Sequence, residues 1–396
     1  MGSLSAYPVG DSQNYFFNEA VRVGSFSRMD EIDFSPGRIA RLQASAQPMP
    51  LPVSSQTESF TNGFFYTYQG KQHSLADYLS RQRVMGLMVL QGGQRWFEAY
   101  QYQRTPSMRF LGHSFAKSMT SLAFGQALQE GIFSSLDIRS DALVPVLNGS
   151  LYGEATLRQL LHMSSGVQFD DRYDGQGDTA IFSRIAAQQG IAAAANSMQV
   201  REIADGERFA YSSAQTSVLS LVFQSVVGED LASFVGKHLW QVMGAESEAL
   251  WLQDRYGVVR ASGSFCATLA DYARWGVLLA NNGCRPDTGQ QVFSQDYLLD
   301  ATDWHKHPLS CQPGIATPML GYGLHFWTFP GHLRRFMLMG VYGQFMFVAP
   351  DLQLVMVQLG AGAEAKNADT SMAQEALALW RGLLDCPSWR GKRSNP

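Results

Sequence analysis

FLGHSFAKSMTSLAFGQALQEG, residues 110–131, decides the fold. It carries Ser114-Phe115-Ala116-Lys117, a serine and a lysine three positions apart. From Lys117 onward, Met119, Leu122, Ala123, Phe124, Ala127 and Leu128 leave no polar face, the mark of a buried helix. Gly131 supplies its stop. Three helical residues turn through about 300°, so Ser114 and Lys117 share a face. Burial and the positive end of the helix dipole both depress a lysine pKa. A neutral amine beside a hydroxyl is a general base beside a nucleophile. The same four residues alone also fit a solvent-facing Ser and Lys on an ordinary helix.

The chain has 396 residues, 45% hydrophobic and only 16% charged. That suits one large enzyme or two lobes around a sizeable core and excludes disorder. A net charge of −4 with no basic run argues against nucleic acid as a partner. No stretch of about 18 apolar residues predicts a membrane span. The start, MGSLSAYPVGDSQ, lacks a basic n-region and an apolar h-region. The expected location is therefore cytoplasmic as written, and periplasmic or secreted if a signal was trimmed. Four cysteines without a C-x-x-C pair give no zinc pattern, and a Cys284–Cys311 bond stays open.

Residues 1–61 are polar, proline-punctuated and extended, and are expected to wrap the body. Residues 64–69, 84–90 and 94–100 read as strands, the last two as a hairpin across Gly92-Gly93. Residues 135–255 read as mainly helical, with 156–163, 181–200, 216–227 and 230–243 as helices. The Asp- and Gly-rich stretch 166–190 is expected to be a long loop near the site. A helix over 268–280 precedes strands at 322–329, 335–340, 344–349 and 352–360, and 372–384 closes the chain as a helix. Early and late strands around a helical insert predict an α+β fold. An antiparallel sheet from residues 62–134 and 256–396 stands beside a helical lobe of 135–255.

Two further stretches carry chemistry. Tyr211-Ser212-Ser213 immediately precedes an apolar helix. A tyrosine there can pass a proton and Ser213 can orient it, although capping and packing would use the same residues. Gly340 and Gly343 flank Val341-Tyr342 in a strand-rich run. Glycine in a strand marks either a bulge or a close backbone approach, where an N–H can face a developing oxyanion.

Together these boxes resemble the serine β-lactamase and penicillin-binding-protein superfamily, in the branch of class C β-lactamases and family VIII carboxylesterases. Within that branch the chain is most similar to the 6-aminohexanoate-dimer (nylon-oligomer) hydrolases. Ser114–Lys117 is the S-x-x-K box and Tyr211-Ser212-Ser213 the Y-x-S box. TLRQLLHMSSG (156–166), ASG (261–263) with DYARWG (271–276), and GVYGQ (340–344) followed by APD (349–351) continue the match. The resemblance implies a β-lactamase/transpeptidase-like fold and acyl transfer through Ser114, with Lys117 and Tyr211 as the coupled base and Ser213 orienting the tyrosine. It implies an oxyanion hole from the amides of Ser114 and Val341. Substrate contacts are expected from Tyr173, Gly340 and Tyr342. No metal or organic cofactor is implied. The partner is a small amide or ester, and a homodimer is left open. His162 falls in a packing box.

The third box departs from the family. Lys-Thr-Gly or His-x-Gly is replaced by Leu338-Met339-Gly340, and no lysine or histidine lies between Phe336 and Pro350. Arg334 and Arg335, just upstream, are the remaining candidates for that charge. The expected activity is hydrolysis of linear amides or esters. Acyl transfer on the same scaffold and β-lactamase or DD-peptidase activity are the alternatives. Retention of Ser114, Lys117, Tyr211 and Ser213 together disfavours a non-catalytic acyl-binding module.

Overall fold

The computed structural model describes residues 6–204, 206–365 and 371–390. Strands among them are β1 (Arg38–Leu42), β2 (Tyr66–Tyr68), β3 (Lys71–His73), β4 (Val84–Gln91), β5 (Gln94–Tyr100), β6 (Arg109–Leu111), β7 (Ala249–Gln253), β8 (Phe265–Thr268), β9 (Gly321–Tyr322), β10 (Trp327–Thr328), β11 (Phe336–Gly340), β12 (Gln344–Ala349) and β13 (Leu354–Gly360). The main sheet has seven strands in the order β5-β4-β13-β12-β11-β10-β9, with every neighbour antiparallel. Its second and third strands, β4 and β13, meet in a seam where Met88 faces Val357. Early and late segments thus meet in one sheet. A four-stranded sheet, β1-β7-β8-β6, stands apart from it.

The central strands read as unbroken apolar runs because the main sheet is covered on both faces. Alternate residues serve two cores: Met88, Leu90, Val355, Val357 and Met346 join the larger one. Leu87, Val89, Met356, Phe345 and Phe347 join a second one completed by Leu379 and Trp380 of the Ser371–Asp385 helix.

The fold departs from the expectations in three places, and it answers the open question of the cysteines. The helix expected over 181–200 starts earlier, at Asp178 inside the expected loop, and is two helices: Gly190 at φ 92° ends Asp178–Gln189 before Ile191–Ser197 begins. Residues 322–329 are two short strands around a tight turn at His325, φ 63°, rather than one strand. The N-terminal stretch is more than a wrapping loop, since β1 pairs with β7 in the second sheet. All four cysteines are free, so Cys284 and Cys311 are not joined.

The Phe115–Gln129 helix runs through the middle and is buried from Phe115 to Gly125. Its few hydroxyls are used internally. Ser118 Oγ donates to the His325 carbonyl at 2.6 Å and Ser121 Oγ to the Leu324 carbonyl at 2.7 Å. These bonds tie one helix face to the turn between β9 and β10. Gly125 lets the ring of Tyr297 lie against the same helix: a Cβ there would stand 2.5 Å from a ring carbon. Tyr297 is held by its hydroxyl, 2.8 Å from Ser121 Oγ. Gly125→Ala is therefore expected to destabilise the protein by about 1–3 kcal/mol through overpacking, although alanine is the better helix former by about 1 kcal/mol. Urea unfolding of the two proteins checks the sign.

Candidate active site

β6 leads directly into the central helix. Gly112 N–H donates to the Phe265 carbonyl of β8 at 2.9 Å, extending the ladder by one residue. His113 then takes the left-handed region at φ 47°, and Ser114 becomes the helix N-cap. This strand–turn–helix sequence puts Ser114 at the positive end of the helix dipole. Gly340, the last residue of β11, lies against the turn: a Cβ there would sit 2.6 Å from the Gly112 carbonyl. That close approach brings Val341 to the same cavity as Ser114.

Lys117 is 1% exposed. Its Nζ lies 3.1 Å from Ser114 Oγ, 3.4 Å from Ser213 Oγ and 2.7 Å from the Ser262 carbonyl. Burial pushes its pKa down to about 8, against an opposing pull from the Asp171 charge. The geometry suits the neutral amine. Two N–H bonds can point at the Ser262 carbonyl and Ser213 Oγ, which leaves the lone pair for the Ser114 hydroxyl.

Tyr211 packs its ring on Trp327 (centroids 5.6 Å, 19°) and against the edge of Tyr322. Burial first, then Asp171, holds its phenol well above the ordinary value, while a hydrogen bond with Ser114 works the other way. Tyr211 is protonated at neutral pH. Lys117, not Tyr211, is thus the group of the pair whose proton balance changes near neutrality.

Ser213 does not address Tyr211 as expected. Its Oγ contacts Lys117 and, at 3.5 Å, Asp171 Oδ2. Tyr173 donates to the same Asp171 oxygen at 3.0 Å and lines the cavity. Gly340 and Tyr342, expected substrate contacts, are placed otherwise. Gly340 is closed off by the Gly112–His113 turn. The Tyr342 ring is buried under the Arg22 guanidinium, 3.9 Å away, among Phe16, Phe26 and His113. His113 adjoins Ser114, but burial pushes its imidazole down to about 3, so it is a poor base at neutral pH. His162 pairs with His307, ring nitrogens 3.0 Å apart, in the interior.

The cavity beside Ser114 has a volume of about 430 Å³. Sequence reading missed most of its wall. Tyr15, Phe16 and Phe17 reach it from the N-terminal stretch, and Phe182 and Ala186 from the Asp178–Gln189 helix. An aromatic run, NYFF at 14–17, inside an otherwise polar segment was the available signal. Asp171 was also missed. Three hydroxyls converge on it, the third from Thr179, and it is one of several acids in the Asp-rich loop.

A serine hydroxyl facing a buried amine, at the end of a core helix beside an antiparallel sheet, is the arrangement of the β-lactamase/transpeptidase-like serine hydrolases. The model of the Beta-lactamase family matches residues 75–378, and the chain belongs to that family. It is 25% identical over 283 residues to the 6-aminohexanoate-dimer hydrolase of Paenarthrobacter ureafaciens, covering 69% of this chain and 71% of that one. Among solved structures it superposes with a TM-score of 0.81 on a Bacillus anthracis protein provisionally assigned as a 6-aminohexanoate-dimer hydrolase, at 21% identity, with 96% and 97% of the two chains covered. A D-stereospecific amidohydrolase from Streptomyces aligns at TM-score 0.55 and 16% identity, over 76% of this chain and 94% of its own.

The buried lysine predicts a pH dependence. Below about 8 Lys117 is an ammonium and cannot accept a proton; above it the amine is neutral. kcat/KM for a neutral ester should rise with pH through that value. Asp171→Asn removes the charge that raises the lysine pKa, so the limb should move to lower pH. Lys117→Arg, which cannot deprotonate, should be nearly inactive. Initial-rate pH profiles of the three proteins provide the check.

Proposed function

We propose that the protein hydrolyses linear amides or esters through an acyl-enzyme on Ser114. The observation that carries this is the Lys117 amine, buried, depressed and 3.1 Å from Ser114 Oγ. Lys117 takes the Ser114 proton as Oγ attacks the carbonyl carbon. The oxyanion faces the amides of Ser114 and Val341, and losing one such donor typically costs about 2.7–4 kcal/mol of barrier. Tyr211, still protonated, gives its proton to the leaving amine or alcohol as the scissile bond breaks. The Lys117 ammonium, 5.0 Å from the centre of the Tyr211 ring, restores it. In the second half a water passes its proton to Lys117 and attacks the acyl carbon; Ser114 Oγ leaves and recovers the proton. Ser213 and the Ser262 carbonyl hold the amine in place throughout. Tyr173, backed by Asp171, borders the substrate.

A fluorophosphonate should add once, on the Ser114 peptide, as read by mass spectrometry. Ser114→Ala should abolish both adduct and turnover. Tyr211→Phe should cost roughly 10²- to 10⁴-fold in kcat, the usual worth of a general acid. Normal turnover by Ser114→Ala sinks the mechanism.

β-Lactams fit less well. Leu338 is buried and Met339 packs into the second core. Arg334 is engaged by Thr302 and Asn282, and Arg335 by Asp351 at 2.8 Å. Neither arginine lines the cavity, so the β11 edge offers no cation to the carboxylate of a fused lactam. Desolvating that carboxylate unpaired costs several kcal/mol. kcat/KM for p-nitrophenyl butyrate should exceed that for nitrocefin by at least about tenfold; equal or faster nitrocefin turnover would return β-lactam hydrolysis to first place.

A further inference from the structure

The cavity has a cation, and it comes from the connection between β7 and β8. Arg260 lines the wall together with Asp254, Tyr15 and Ser262. Its backbone is pinned: its N–H donates to the Leu252 carbonyl at 2.8 Å, and its carbonyl accepts from Gly263 N–H at 3.1 Å and from the Trp251 indole at 3.3 Å. Its guanidinium, in contrast, has no hydrogen bond or ion pair among the described residues. The other cavity arginine, Arg172, is paired with Asp170 at 2.6 Å.

The groups facing Arg260 do not satisfy it. Asp254 spends Oδ1 on the amides of Tyr256 and Val258, and its Oδ2 is buried without a partner. It feels the Arg260 charge but forms no ion pair with it. Tyr15 lies close enough to feel the same charge. A guanidinium has five donors in a planar fork that matches a carboxylate. Arg260 is half-buried and none of its nitrogens is sealed from solvent, so the fork stays open for an anion that enters the cavity.

The position also fits a substrate arm. Ser262, whose carbonyl holds Lys117, is two residues from Arg260, so the two Cα atoms are at most about 7 Å apart. Phe16, Phe17, Phe169 and Phe182 give the same cavity apolar surface. We propose that Arg260 is a specificity-determining residue that binds a carboxylate at the end of an apolar arm of the substrate. The preferred substrates are then linear amides or esters bearing a terminal carboxylate. This rests on the acyl-enzyme reading above. A flexible arm can reach this wall, whereas a fused lactam carries its carboxylate beside the scissile bond.

The test uses matched pairs. On the acyl side, mono-p-nitrophenyl adipate, pimelate and suberate are compared with their methyl-capped diesters. On the leaving side, 3-carboxyphenyl butyrate is compared with its methyl ester. In the wild type one arm should favour the carboxylate over its neutral match. In Arg260→Gln that kcat/KM ratio should fall roughly 10- to 100-fold, the worth of a charge-assisted hydrogen bond. Arg260→Lys should keep part of it. Absence of any preference in both arms, or a ratio unchanged in Arg260→Gln, overturns the proposal. Calorimetric binding of heptanoate reads the anchor without turnover and should weaken in Arg260→Gln by a similar factor. If Ser114 takes no phosphonate and no ester turns over, the acyl-enzyme reading fails by itself. The heptanoate comparison then decides Arg260 alone, with equal binding refuting it.

Discussion

Removing an ammonium from water costs several kcal/mol, and the surroundings of Lys117 let that cost fall on the charged form. The amine is given a carbonyl from Ser262 and an oxygen from Ser213, enough to place it but not to hold its proton. Asp171 pulls the other way through its charge. It does so from behind Ser213 and Tyr173, whose hydroxyls it accepts. The balance between burial and this one acid sets the pH at which the amine becomes neutral. Everything around it serves that balance. The central helix supplies Ser114 and Lys117, the helix from Ser213 to Val227 supplies its first residue, and the β7–β8 connection supplies the carbonyl.

A second buried cation shows the opposite solution. Arg22 is 2% exposed, and a guanidinium does not give up its proton in proteins. It is accordingly wrapped: it donates to the carbonyls of Gly362, Ala363 and Phe17 and lies on the face of Tyr342. Those contacts fasten the N-terminal helix Glu19–Ser25 to the turn after β11 and the segment after β13. Because Tyr15–Phe17 precede that anchor, the cavity wall they form is fixed to the same strands that carry Val341. Tyr342 is thereby a structural clamp, where family resemblance implied a substrate contact.

What was legible in the sequence were the parts whose residue type is dictated locally. Ser114 and Lys117 share a helix, so their spacing shows their relation. Tyr211 announces itself by standing before an apolar helix. The unbroken apolar runs of β4 and β13 reveal strands buried on both faces. The DYARWG box was legible as a pattern but not as a cause: Asp271 is buried and accepts from the amides of Glu246 and Ser247, from Thr268 and from Arg274, stapling a loop. The cavity wall was not legible. Beside the Ser114 and Ser213 segments its members come from residues 12–17, 169–191, 254–264 and 341, and only the closed fold gathers them. Asp171 stands among Asp170, Asp174 and Asp178, and Arg260 follows Arg255 five residues earlier. What distinguishes each is its partners, or their absence, and neither is written in spacing.

The seam between β4 and β13 has a further consequence, for the order of events during synthesis. Ser114 and Lys117 are made in the first third of the chain, but Val341 and the strand that pairs with β4 come near its end. Contacts this distant in sequence form late, after the entropy of closing a long loop has been met. Until residues 344–360 leave the ribosome, the early hairpin of β4 and β5 has an open edge and an uncovered apolar face. The nascent chain therefore carries Ser114 and Lys117 through the synthesis of more than two hundred further residues before Val341 joins them at the cavity. It also exposes the strand edge that most invites mispairing with another copy. The closed cavity and protection from aggregation arrive together, when β12 and β13 complete the sheet.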